Sequence, residues 1–168
     1  NWSPERIEEA NAYAEASGQL PFAAGSVHFS LAVPSTPPWP GCLSVAGLDQ
    51  ARVRNWYSTT SFPLLAWSSL SGGFLTGRFR RGVAVEQFTD PGDRRVVNTY
   101  CHEANFSRLD RARRLARERG VTVPQIAISY VLSSPMDVYA LVGCASGAEF
   151  DMLASGMGLQ ISPDEIHW

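Results

Sequence analysis

Residues 62–79 read Phe62-Pro63-Leu64-Leu65-Ala66-Trp67-Ser68-Ser69-Leu70-Ser71-Gly72-Gly73-Phe74-Leu75-Thr76-Gly77-Arg78-Phe79. A proline can begin a strand but not sit inside one, and the four apolar residues that follow Pro63 suit a short parallel strand covered on both faces. The strand runs directly into Ser68, Ser69, Ser71, Gly72 and Gly73. Small residues in a row expose backbone N–H groups and let a ligand approach the main chain closely. The same composition also makes a plain connection, so two readings stand: a phosphate cradle or a turn.

The rest of the chain bounds the choice. Its 168 residues are the size of one domain, and 45% hydrophobic with 11% aromatic content is enough to bury a core. A net charge of -2 gives no reason to expect nucleic acid or a membrane surface as partner. No apolar run reaches the length of a membrane span, and no signal-peptide pattern opens the chain. Asn1 is not Met and a helix begins almost at once, so the first residue is expected to be a cut in a longer chain. Cys42, Cys101 and Cys144 lack the spacing of zinc sites and the density of a disulfide scaffold, which fits a reducing cytoplasm. Cys101-His102 has no second ligand pair at a suitable spacing, so no metal site is expected. All 14 basic residues are Arg; the chain has no Lys.

Working outward, Ser3 can cap a helix with Pro4 in its first turn, running to about Ser17, where Gly18 stops it. Ile7, Ala10 and Ala14 give it a thin apolar stripe. Residues 22–33 form a strand candidate, with Ala23, Ala24, Val27, Phe29, Leu31 and Val33 as apolar content. His28 shares strand parity with Ser26, so it faces a ligand or is a hydrogen-bonded core residue. Residues 34–47 hold Pro34, Pro37, Pro38 and Pro40, which prevent a helix. Trp39 in this loop either lines a substrate pocket or packs down as an anchor.

Residues 48–59 read as a helix with Val53, Trp56 and Tyr57 available to the sheet. Residues 78–105 show no clear periodicity and read as a long loop whose arginines reach a phosphate or lie solvated. Asn105 or Ser107 caps a helix through Arg119, with Phe106, Leu109, Ala112, Leu115 and Ala116 as its stripe and Gly120 ending it. Thr122 and Gln125 form a capping box for the next helix. Residues 138–142 are another short apolar strand, and Ser146 with Glu149 forms a second box, making a helix N-terminus suited to an anion. Ser162 and Glu165 form a third box, so the chain ends at Trp168 inside an expected helix.

Several of these stretches resemble one family. Ala66-Trp67-Ser68-Ser69-Leu70-Ser71-Gly72-Gly73-Phe74-Leu75-Thr76-Gly77 resembles the seventh-strand motif of the aldo-keto reductases, usually Ala-Tyr-Ser-Pro-Leu-Gly-x-Gly-x-Leu-Thr-Gly. Asn1-Trp2-Ser3 with Ile7 is similar to Ser-Asn-Trp-Ser-x-x-x-Ile after the fifth strand. Residues 25–31 resemble the sixth-strand pattern Asn-Gln-x-x-Tyr-Ser-Leu-Leu, and residues 122–132 resemble Thr-Pro-x-Gln-Ile-Ala-x-x-Trp-Val-Leu. Residues 143–153 resemble the eighth-strand segment Gly-Ala-Ser-Ser-x-x-Gln-Leu-x-x-Asn.

The resemblance implies roles. Trp67 would stack on the nicotinamide ring; Ser68 and Leu70, with Gly72 in the same cradle, would bind the pyrophosphate; Asn1 would hold the carboxamide. Ser26 stands where the family has a longer, cofactor-contacting Gln. Gly143, Cys144, Ser146 and Glu149 would hold the adenine side. Glu149 replaces a Gln or Arg, Leu153 stands where Asn is common, and no base is present for a 2′-phosphate, so NADP(H) and NAD(H) both remain open. The long connection 78–105 would close over the cofactor.

The order strand, helix, strand, helix, strand, helix argues for α/β architecture with right-handed parallel βαβ units. The resemblance makes residues 1–168 the carboxyl-terminal part of a (β/α)8 TIM barrel, with about three parallel strands and surrounding helices, since such barrels need about 250 residues. It implies the cofactor-binding half of an NAD(P)H-dependent oxidoreductase that reduces aldehydes or ketones. No catalytic residue is expected here, because the family's Tyr, Lys, Asp and His lie on earlier strands. The implied partners are a nicotinamide cofactor, a small carbonyl substrate contacted by His28 and Trp39, and an amino-terminal half-barrel. Turnover by this segment alone is not expected. A non-catalytic nicotinamide-binding module, or a structural half-barrel with exposed edges, are the alternatives.

Overall fold

The computed structural model describes residues 1–166. Helix α1, Pro4–Ala16, starts where Ser3 Oγ accepts from Arg6 N, and buries Ile7 and Ala14. After it the chain is extended but forms no regular strand, which corrects the expectation for residues 22–33. Gly25 lies opposite Leu64 and His28 opposite Trp67, both in parallel sense, as isolated bridges. The reason is competition at both ends. Asn11 holds Phe22 through its amide, with Phe22 N donating to Oδ1 at 2.8 Å. His28 exchanges backbone hydrogen bonds with the proline-rich loop, donating to Leu43 O at 3.1 Å and accepting from Val45 N at 2.8 Å.

A 3₁₀ turn, Leu48–Gln50, leads into helix α2, Ala51–Thr60, so the helix expected from Leu48 begins in a tighter turn. Strand β1 is Leu64–Ala66 and is followed by the 3₁₀ segment Ser71–Thr76. The connection 78–105 is not one loop. It holds a short 3₁₀ turn, Val85–Gln87, and a full helix α3, Pro91–Tyr100, capped by Asp90, whose side chain accepts from Asp93 N. Helix α4, Glu103–Arg119, is capped at His102, three residues before the earliest expected cap at Asn105. Helix α5, Val123–Leu132, carries the full Thr122–Gln125 capping box. Strand β2 is Val138–Ala140, shorter than the expected 138–142. Helix α6 is Gly147–Ser155 and α7 is Pro163–Ile166. At α7, Glu165 N donates to Ser162 Oγ at 3.4 Å and Ser162 N to the Glu165 carboxylate at 2.8 Å, closing the third capping box. The helix end expected at Trp168 lies outside the described residues.

β1 and β2 pair in parallel with Leu64 opposite Val138, Leu65 opposite Tyr139 and Ala66 opposite Ala140. The expected three parallel strands are therefore two in a ladder, with residues 25–28 alongside. Leu64 and Ala66 are fully buried against helices on one face of the sheet, where Val27, Phe29, Tyr57, Val131 and Met136 join them. The other face is open: Leu65 is 36% and Tyr139 54% exposed. Gly25 is required here by close approach, because a Cβ on it would collide with the Tyr57 hydroxyl. A larger core lies beneath the loop that leaves β1, with Phe74, Leu75 and Phe79 packed on Val96 and Tyr100 of α3, Phe106 and Leu109 of α4 and Ile126 of α5. No helix among the described residues is long and apolar enough to cross a membrane.

Candidate active site

Both strands end at the same rim, and the loops that leave them face each other across a cleft of about 700 Å³. The loop after β1 contributes Ser68, Leu70, Gly72, Gly73 and Arg78; the turn after β2 and the start of α6 contribute Gly143, Cys144, Ala145 and Glu149. Ligands of parallel α/β sheets bind at the carboxyl ends of strands, because the loops there are free of the helix packing below.

The β1 loop holds its shape by buried anchors and unusual dihedrals. Phe74 is fully buried, with its ring 5.3 Å from Phe106 and 6.4 Å from Tyr100. Ser68 and Ser71 adopt positive φ (56° and 54°), as do Gly72 and Gly73, the kind of strain that surrounding packing must sustain. Only glycine fits at position 72, where a Cβ would lie 2.7 Å from Val96 Cγ2. The N–H groups of Ser69, Leu70, Gly143 and Cys144 have no acceptor among the described residues. Unpaired N–H groups on loops that line one cleft are available to a diphosphate or similar anion.

Ser68, Leu70, Gly72, Gly143, Cys144 and Glu149 therefore line one cleft. Ser146 stands at its edge as the cap of α6, with its Oγ accepting from Glu149 N at 3.2 Å. The Glu149 carboxylate accepts from Ala145 N at 2.7 Å, so the second capping box is closed one residue early. The remaining expected residues are engaged elsewhere. Ser26 Oγ donates to Leu65 O at 3.1 Å. Asn1 is turned onto the proline-rich loop: its amide donates to Gly41 O at 2.8 Å and accepts from Leu43 N at 2.9 Å. Trp67 is stacked by Trp39 of the same loop, centroids 4.7 Å apart and planes 28° apart, while the His28 ring lies 5.1 Å away.

His28 is fully buried in a knot of hydroxyls. Its Nε2 lies 3.1 Å from both the Tyr100 and the Ser30 hydroxyls, and Nδ1 lies 2.7 Å from Ser44 Oγ. With the Tyr100 hydroxyl donating to Nε2, the neutral ring carries its proton on Nδ1 and donates to Ser44. Ser30 Oγ also donates to Ala32 O at 2.7 Å and lies 2.8 Å from Ser71 Oγ, tying the knot to the β1 loop. Burial lowers the His28 pKa to about 4 and raises that of Tyr100, because the low-dielectric surroundings disfavour either charge.

Sequence reasoning grouped Arg78 with the other arginines of residues 78–105, reaching a phosphate or lying solvated, and did not single it out. Its guanidinium pairs with Asp93 of α3 and lies 4.9 Å from the Phe79 ring centroid, at the wall of the cleft. The available signal was its place directly after Thr76-Gly77. Arg81, by contrast, is taken by Glu103 and Asp110.

The Aldo/keto reductase family matches residues 1–167. Versiconal hemiacetal acetate reductase of Aspergillus parasiticus is 27% identical over 105 residues, covering 62% of this chain and 30% of that protein. A probable voltage-gated potassium channel subunit beta of Oryza sativa subsp. japonica is 34% identical over 81 residues, covering 47% of the chain and 25% of its own length. Its counterpart in Arabidopsis thaliana is 33% identical over 87 residues, with the same coverage. The fold matches a thermostable aldo-keto reductase solved with the inhibitor epalrestat, with a TM-score of 0.57 and 15% identity, over 99% of this chain and 44% of that one. The chain thus spans between 25% and 30% of the length of the curated relatives it matches. With the family match running through both loops of the cleft, the chain belongs to the aldo-keto reductase family.

Proposed function

We propose that this chain is the carboxyl-terminal, cofactor-binding part of a (β/α)8 barrel and that its cleft holds a nicotinamide dinucleotide for the reduction of small aldehydes or ketones. The observation that carries this is the pair of loops at the carboxyl ends of β1 and β2, which line one cleft and between them carry four N–H groups without an acceptor among the described residues. Ser69 and Leu70 N–H would hold the diphosphate, with Arg78 beside them. Gly143 and Cys144 N–H, with the Glu149 carboxylate, would meet the adenosine. When bound, the cofactor supplies hydride to a carbonyl carbon.

On this reading the chain's own residues bind and orient, and the proton donor comes from outside this segment. A Tyr that gives up its proton near neutral pH needs a nearby cation in a low-dielectric site. No Lys exists in this chain. Tyr100, the one Tyr bonded to a His among the described residues, is sealed 3% exposed beneath the β1 loop, and burial raises its pKa further. We therefore propose that turnover requires an amino-terminal half-barrel seated on the open face at Leu65 and Tyr139, and that the assembled protein works in the cytoplasm.

A second reading is favoured by the two plant relatives named as probable channel subunits. In that reading the cleft holds the same cofactor without turnover, as a sensing or structural part of an assembly. An aldehyde-reduction assay on the assembled protein separates the two.

Cys144 supplies the test of the cleft itself. It lines the cleft, whereas Cys42 is buried and the Cys101 thiol is pushed up to about 11 by burial, so alkylation by iodoacetamide falls on Cys144 first. Added dinucleotide should slow labelling of Cys144, read by peptide mass spectrometry, and leave the Cys101 rate alone. Equal Cys144 rates with and without saturating dinucleotide would refute the reading.

A further inference from the structure

We infer that the cleft selects NAD(H) over NADP(H), and that the residue making the selection is Glu149; this rests on the dinucleotide reading above. A turn of small residues ahead of a helix is ordinarily an anion site, because its free N–H groups and the helix dipole both favour negative charge. At α6 that site already contains an anion. The Glu149 carboxylate folds back to accept from Ala145 N at 2.7 Å, Ser146 Oγ accepts from Glu149 N at 3.2 Å, and Phe150 N donates to Ser146 O at 3.2 Å. Glu149 N is thus held by the Ser146 cap and Ala145 N by the Glu149 carboxylate, which places the chain's own negative charge at the turn where a phosphate would otherwise sit.

Nothing nearby reverses that charge. Arg78 is the one cation lining the cleft among the described residues. It stands on the loop after β1, beside Gly73, whose Cβ position lies 3.6 Å from Arg78 Cδ, and its guanidinium is paired with Asp93 of α3. The cleft is therefore polarised, with the cation by the β1 loop and a carboxylate by the β2 turn. A dinucleotide laid along it places its diphosphate near Arg78 and the N–H groups of Ser69 and Leu70, and its adenosine ribose near Glu149.

The two cofactors differ at that ribose alone. NAD(H) presents a 2′-hydroxyl, which donates to a carboxylate that still has free lone pairs, a charge-assisted bond. NADP(H) presents a 2′-phosphate of nearly two negative charges, which meets a fixed negative charge with no cation to neutralise it. At an exposed, partly screened site, repulsion of that kind over about 5 Å corresponds to a preference of roughly tenfold or more.

Calorimetric titration of the purified protein with NADH and with NADPH tests this, on the natural sequence and on Glu149→Gln and Glu149→Arg. Gln keeps an acceptor for Ala145 N and removes the charge; Arg reverses it. The expected result is NADH tighter by at least about tenfold at low salt, a gap that shrinks as ionic strength rises, narrows in E149Q and inverts in E149R. NADPH binding as tightly as NADH in the natural protein would overturn the selection and leave the dinucleotide site standing, as would a ratio unmoved by either substitution. Binding of neither cofactor would overturn the dinucleotide reading and the selection with it.

Discussion

If the nicotinamide ring is to lie on Trp67, Trp39 has to leave first. The two indoles are stacked at 4.7 Å, and the His28 ring lies near Trp67 at 5.1 Å. The loop carrying Trp39 also occupies both ends of the Asn1 amide, through Gly41 O and Leu43 N. Opening the Asn1 bonds is close to neutral, since a carboxamide would replace them in kind. The stack is not replaced in the free state, and an aromatic pair contributes about 0.5–1.5 kcal/mol beyond its area. Removing it by Trp39→Ala therefore tightens binding of the whole dinucleotide by roughly two- to tenfold. Trp39→Leu, which keeps apolar cover on the loop but no ring, should fall between. Calorimetry with NADH reads the effect, and ADP-ribose, which lacks the nicotinamide, serves as control: its affinity should be indifferent to position 39. Weaker NADH binding in W39A would refute the reasoning and make Trp39 a wall of the site. An equal gain for ADP-ribose would show that the loop blocks the cleft as a whole.

Two further outcomes follow from buried polar groups. His28 has its pKa lowered to about 4 by burial, so the folded state resists a proton that the unfolded chain accepts at the ordinary value near 6.5. The stability it confers is complete above pH 6.5 and is lost progressively down to about pH 4, on the order of 3 kcal/mol in all; urea melts across that window should show the slope, and His28→Gln should flatten it. The Tyr57 hydroxyl is buried beside Gly25 without a hydrogen-bond partner among the described residues, so Tyr57→Phe should raise stability by about 1 kcal/mol in thermal or urea unfolding; a comparable loss would mean that the hydroxyl has a partner in solution.

The helices were legible wherever a cap and an apolar stripe coincide. Ser3 with Ile7 and Ala14, and Thr122 with Ile126, Ala127 and Val131, give both signals and both helices form. Helix α3 carries its cap plainly, Asp90 ahead of Pro91, yet its first turns are polar and its buried residues Val96, Val97, Thr99 and Tyr100 are bunched at the far end. A stripe that short has no visible period, so the stretch reads as loop. Residues 22–33 fail in the opposite way. Their composition suits a strand, but whether a strand forms depends on what its edges meet, and here Asn11 and the proline-rich loop take bonds that a ladder would have used.

The same distinction divides the site. Around β2 and α6, Gly143, Cys144, Ser146 and Glu149 take their positions from local turn and cap geometry, which a spacing of a few residues encodes. Around β1, Ser68, Leu70 and Gly72 are held by Phe74 and Leu75, two apolar residues in the same short motif. Asn1 and Trp67 differ because their present partners, Gly41, Leu43 and Trp39, are about 30–40 residues away in a segment that no periodicity describes. A local motif determines where a side chain starts; a distant loop determines whether it is free. On the proposed reading, the adenosine end of the cleft is built and open, while the nicotinamide end is built and covered. That asymmetry implies an order of binding in which the diphosphate and adenosine dock first, and their contacts hold the dinucleotide in place while residues 34–47 withdraw.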